Sequence, residues 1–93
     1  MTLTQIGVDI RAARERAGLS LSGLGERMSA VGRPTSKALL HYWEKGSRRP
    51  HRADVQAIAA VLDLGSEWAE AAACAAERSR DRLLRAPHQQ AAA

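Results

Sequence analysis

Apolar residues recur along the chain at spacings of three and four, the period of a helix rather than a strand. Ile6, Ile10 and Ala13, extended by Leu3 and Ala17, form one face of a helix predicted over 4–17. Thr2 or Thr4 can cap its start, and Gly18 ends it. Ser20 is a good cap for a second helix, 21–30, whose stripe is Leu24, Met28 and Val31. Gly23 and Gly25 lie inside it, where a glycine costs about 0.5–1 kcal/mol against alanine. At Gly25 this is read as room for another helix. Residues 31–36 form a loop, and Pro34 pushes Arg33 out of helical conformation. Thr35 or Ser36 caps a third helix, 37–45, with Leu39, Leu40 and Trp43 inward. Its outward residues are Lys37, Ala38, His41, Tyr42 and Lys45. Gly46 ends it, and 47–52 is a basic, extended connector. A fourth helix, 53–62, turns Val55, Ile58, Ala59 and Leu62 inward. Gly65 is the next stop and Ser66 the next cap. The fifth helix opens with Glu67 and Trp68, and its pattern continues to Leu84. Residues 86–93 have nothing to bury and are expected to be a disordered tail.

Composition agrees with a helical reading. Aromatics are 3% of the chain, only Tyr42, Trp43 and Trp68, and Ala, Leu, Arg and Glu dominate. That argues for a small all-α bundle and against a sandwich or barrel. The longest apolar runs, 57–62 and 71–76, are six residues each. A membrane span needs about 20. The amino terminus has no basic segment before an apolar block, so no secretory leader is expected. Cys74 is a lone cysteine, read as a small buried hydrophobe in a reduced, cytoplasmic compartment.

Charge adds a direction. The chain carries +4, but the window from Arg27 to Arg52 holds seven basic residues against one acid, Glu44. That window is +6 and the remainder −2. A focused basic patch on a small domain is the footprint of a polyanion partner. A solvated basic surface is the plainer alternative.

The ordered motifs then narrow the choice. Ile10-Arg-Ala-Ala-Arg14 is followed by Gly18-Leu-Ser20, Trp43-Glu-Lys-Gly46 and Arg48-Arg-Pro50. In that order they resemble the lambda-repressor/Cro-type helix-turn-helix family, also called XRE, over about two thirds of the chain, Ile6 to Leu64. The resemblance implies a five-helix, lambda-repressor-like all-α fold with an extended C-terminal helix. It implies a sequence-specific, double-stranded-DNA-binding transcriptional regulator of repressor type, with no enzymatic activity. Two departures stand out. The link between helices 2 and 3 is longer than the family's tight turn and resembles an extended version in actinobacterial members. Where many members carry glutamine, this chain has Leu21, Lys37 and Ala38. Base specificity therefore does not carry over.

By that resemblance helix 37–45 enters the major groove, with Lys37, Ala38, His41 and Tyr42 reading bases. Lys37 can donate to guanine O6/N7, and Ala38 can meet a thymine methyl. Phosphates are assigned to Ser20 and Ser22 at one helix start, and to Thr35 and Ser36 at another. They are also assigned to Arg33, Lys45, Arg48, Arg49 and Arg52. Each arginine alone is more often a solvated surface charge; the cluster is what points to phosphate. About five neutralised phosphates correspond to a slope of log K against log salt near −4 to −5. Arg14 and Glu44 are assigned, by resemblance, to a structural ion pair between helix 1 and the end of helix 3. Trp43 and Trp68 read as core rather than as stacking platforms.

The organisation expected is a DNA-binding domain over 1–65, a helix over 66–85 and the tail. Trp68, Ala71, Ala72, Ala75, Leu83 and Leu84 form an intermittent stripe that reads as a homodimer seam. Packing on the chain's own domain is the alternative. His41, His51 and His88 lack metal-ligand spacing, and no phosphate loop or paired carboxylates appear, so neither cofactor nor metal is expected. Two rival roles remain: an antitoxin that represses its own operon, and a protein-interaction module that reads no DNA. A nucleoid-associated cytoplasmic location goes with the DNA-binding reading.

Overall fold

The computed structural model of the chain describes residues 1–92, with side chains through Ser79. The elements are α1 (Leu3–Arg16), α2 (Leu21–Ala30), α3 (Lys37–Lys45), α4 (Arg52–Leu62) and α5 (Ser66–Ala92). All are helices, as the periodicity predicts.

Hydroxyl side chains start three of them. Thr2 Oγ1 accepts the Gln5 N–H at 3.1 Å, Ser20 Oγ the Gly23 N–H at 2.9 Å, and Ser36 Oγ the Leu39 N–H at 3.1 Å. A cap of this kind contributes about 1 kcal/mol. Thr2, not Thr4, begins α1, and Ser36, not Thr35, begins α3. The Thr35 hydroxyl instead donates to the Arg33 carbonyl at 3.0 Å. At the end of α3, Gly46 adopts φ +76°, so the Ser47 N–H reaches the Tyr42 carbonyl at 3.0 Å. Only glycine takes that turn without strain.

The later boundaries differ from expectation. Asp63, at φ +55°, closes α4, and the Leu64 N–H bonds the Ala59 carbonyl at 2.9 Å. A short polar side chain tolerates the left-handed region, so the stop comes two residues before Gly65. Helix α5 begins at Ser66 itself, and the Gly65 carbonyl accepts the Ala69 N–H at 3.1 Å. Gly65 thus occupies the place expected for Ser66. Val31, expected in the α2 stripe, is 52% exposed, because α2 ends at Ala30 and the chain turns away. The backbone of the expected tail, 86–92, continues α5; Ala93 and all side chains from Arg80 on lie outside the described residues.

The core takes its large side chains from four helices and its small ones from the fifth. Ile6, Ile10, Leu24, Met28, Leu40, Trp43, Val55 and Ile58 are buried together. Against them pack Ala69, Ala72, Ala73, Ala75 and Ala76 of α5. Their short side chains let α5 lie close on α4. Trp68 is partly buried, and its Nε1 donates to Asp9 Oδ2 at 2.9 Å, tying α5 to α1. On the other side Arg52 donates to Glu70 at 2.7 Å and Glu77 at 2.8 Å. The hydrogen bonds that Arg52 donates to Glu77 and Glu70 push its pKa up, and the Arg52 contact holds the Glu70 carboxyl below its ordinary value.

Helices α1 and α3 meet at Gly7. A Cβ there would lie 2.3 Å from the Glu44 carbonyl oxygen and 2.5 Å from that of Trp43. Gly25 has a milder version of the same need, where an added Cβ would lie 3.3 Å from the Thr35 carbonyl oxygen. The sequence pattern points to Gly25 but not to Gly7.

Candidate nucleic-acid interface

Helix α3 has two unlike faces. Leu40 and Trp43 are buried at 0% and 2% exposure, which leaves no route for Trp43 to stack on a base. Lys37, His41 and Lys45 follow each other at intervals of four on the opposite side, with Ala38 and Tyr42 beside them, and all five are exposed. Tyr42 is held by its surroundings. The Arg48 guanidinium sits over the phenol ring at 5.4 Å, and the His41 ring lies 6.1 Å away, tilted by 47°. Ser47 Oγ donates to the Tyr42 carbonyl at 3.3 Å. The residues assigned to base reading are therefore together on one solvent-facing surface.

The start of α2 presents Ser20 and Ser22, both exposed. The first N–H groups of a helix have no intrahelical acceptor and favour an anion. Ser36 sits in the same position at α3.

The cations expected at phosphates fall into two groups. Lys45, Arg48 and Arg49 have no acidic partner among the described residues, nor do Arg27 and Lys37. Arg33 and Arg52 do. Arg33 Nε donates to Asp54 Oδ1 at 2.6 Å, and Arg52 is shared by Glu70 and Glu77. These partners stand 18 to 25 residues away along the chain, so a count of charge within the 27–52 window does not see them.

Glu44, the one acid of that window, is also neutralised from outside it. Arg14 Nε reaches its Oε2 at 2.6 Å and Arg14 Nη2 its Oε1 at 3.0 Å, a two-pronged contact. Arg14 Nη1 donates to the Leu19 carbonyl at 2.8 Å. The side chains are 13% and 6% exposed. The hydrogen bond that Arg14 donates to Glu44 raises the Arg14 pKa and keeps the charge in place. One guanidinium thereby joins α1, the turn before α2 and the end of α3.

Among the described residues no cluster of His, Cys, Asp and Glu is placed to hold a metal ion, and no helix is long and apolar enough to cross a membrane. A family model described as a helix-turn-helix domain matches residues 5–72, which spans α1 to α4 and the start of α5. No curated protein and no solved structure matches the chain.

Proposed function

We propose, given that the chain belongs to the helix-turn-helix family of DNA-binding domains and is of its XRE-like type, that it is a transcriptional repressor reading a specific duplex sequence with α3. The observation that carries this is the exposed surface of Lys37, Ala38, His41 and Tyr42 on a helix whose other side is core. A helix of this kind fits the major groove, where each base pair offers a distinct pattern of donors, acceptors and methyls. Lys37 supplies donors for guanine, Ala38 a methyl for thymine, and Tyr42 a hydroxyl. Arg48 over the Tyr42 ring steadies the phenol while bringing a charge beside it, a contact worth about 0.5–1 kcal/mol at an exposed site. Ser20 and Ser22 with the α2 N-terminus, and Ser36 at α3, address phosphates on the near strand. Lys45, Arg48 and Arg49 hold the backbone beyond α3.

Two copies on a partly palindromic site would place their recognition helices about 34–36 Å apart. The expected seam is narrower than the sequence implied. Ala72 and Ala75 are buried in the protomer's own core, and Trp68 is bonded to Asp9. Leu83 and Leu84, the rest of the expected stripe, lie outside the residues whose side chains are described. Reading DNA places the protein at the nucleoid, in the cytoplasm.

Selection of bound sequences from a random duplex library tests the reading. A single enriched motif is the expected result. On that motif Lys37→Ala is expected to cost about 1–3 kcal/mol and relax one base position. No enrichment, with α3 intact, contradicts it.

A further inference from the structure

We infer that Asp54 is a positioning residue for α3: its one carboxylate ties together the segments that enter and leave that helix. Oδ1 accepts from Arg33 Nε at 2.6 Å, in the turn between α2 and α3. Oδ2 accepts from the His51 N–H at 2.9 Å, at the end of the connector that follows α3. Asp54 is buried, at 6% exposure, and Arg33 reaches it from a side chain that is 42% exposed. A bond to an ionised group in such a place is stronger than one at the surface.

The lengthened turn needs this anchor. Residues 31–36 have no helix of their own and place exposed Val31 and Pro34 outside. What holds them is a short series of contacts centred on Arg33. Its N–H bonds the Met28 carbonyl at 2.9 Å, and its carbonyl accepts the Thr35 hydroxyl at 3.0 Å. The Thr35 carbonyl rests against Gly25. The side chain of Arg33 then crosses to α4. Loss of the Asp54 contact leaves the turn fixed to α2 alone, and Ser36, which caps α3, moves with it. On the other side, Asp54 holds His51 next to Pro50, which is fully buried, and so sets where Arg48 and Arg49 leave the core. On this inference Arg33 acts as a strut between the turn and α4 rather than as a phosphate contact.

This role rests on the reading of α3 as the DNA-reading element, and the test separates the two. The full chain, Asp54→Asn, Arg33→Ala and the double variant are compared on the selected duplex, on random duplex and without DNA. Asparagine keeps an acceptor for His51 but removes the charge that holds Arg33. Each single variant is expected to lose about tenfold in affinity for the selected duplex, with random-duplex affinity and salt slope unchanged, and the double variant to be no weaker than either single one. In the free protein, amide exchange at Leu39 and Leu40 is expected to quicken while Ile10 and Ile58 hold. Arg33→Ala carries the test if Asp54→Asn does not fold, since its side chain is 42% exposed. An Arg33→Ala salt slope shallower by about one on both duplexes makes Arg33 a phosphate contact and overturns the role. So does unchanged exchange at Leu39 and Leu40. If the unaltered chain binds no duplex, the DNA reading fails, and the exchange measurement alone decides whether Asp54 orders α3.

Discussion

Gly7→Ala is expected to destroy the native packing of α1 on α3. The added carbon would sit 2.3 Å and 2.5 Å from two carbonyl oxygens and 2.8 Å from the Glu44 carbonyl carbon. All three are backbone atoms, so no rotamer change relieves the overlap. Restoring ordinary contact, about 3.5 Å, requires the helices to part by roughly 1 Å. That loosens Trp43 and Ile10 together. Overpacking typically costs about 1–3 kcal/mol and more where backbone meets backbone. At about 3 kcal/mol the melting temperature falls by roughly 12–24 °C for a domain of this size. Gly23→Ala is the control. Its Cβ would meet only the Ser20 and Leu19 side chains, at 3.3 Å and 3.4 Å, and alanine is the better helix former. Thermal unfolding followed by circular dichroism compares the two. Equal melting of Gly7→Ala and the unaltered chain contradicts the close approach.

Glu44→Ala is expected to have an effect at least as large. It leaves the Arg14 guanidinium, 13% exposed, with only the Leu19 carbonyl as a partner. Removing one member of a buried pair costs about 3–5 kcal/mol, because the remaining charge stays desolvated. Melting and duplex binding should both fall, the second because α3 loses its tie to α1. Glu44→Gln keeps an acceptor and should lose less of either. Unchanged melting in Glu44→Ala rules out the tie.

How much the sequence discloses depends on the range over which the cause acts. The bounds of α3 were readable because a serine cap and a glycine stop enclose nine residues with one apolar stripe. Its outward residues followed from the period alone. The Arg14–Glu44 pairing came from the resemblance, since nothing local joins residues 30 apart. Gly7 was passed over because a glycine inside a helix reads first as a weak point. The available signal was its place on the same face as Leu3 and Ile10. Arg33 and Arg52 were assigned to phosphate because a basic window looks uniform until folding brings Asp54, Glu70 and Glu77 against it. Asp54 did carry a local sign, an acid three residues after His51, the residue that precedes α4. The alanines of α5 show the same limit. Periodicity marks a buried face but does not say whether it is buried within one chain or between two.

The pairing of Arg33 and Arg52 also changes the electrostatic expectation. On the proposed reading Lys45, Arg48 and Arg49 remain for the backbone, with Lys37 at the bases, so about three neutralised phosphate charges are expected rather than five. Titration of the unaltered protein with a labelled duplex across a series of salt concentrations reads this directly. Binding whose log K falls with log salt at a slope near −3 is the predicted result. Absence of binding at moderate salt, or binding that does not respond to salt, contradicts an α3 surface that docks on DNA.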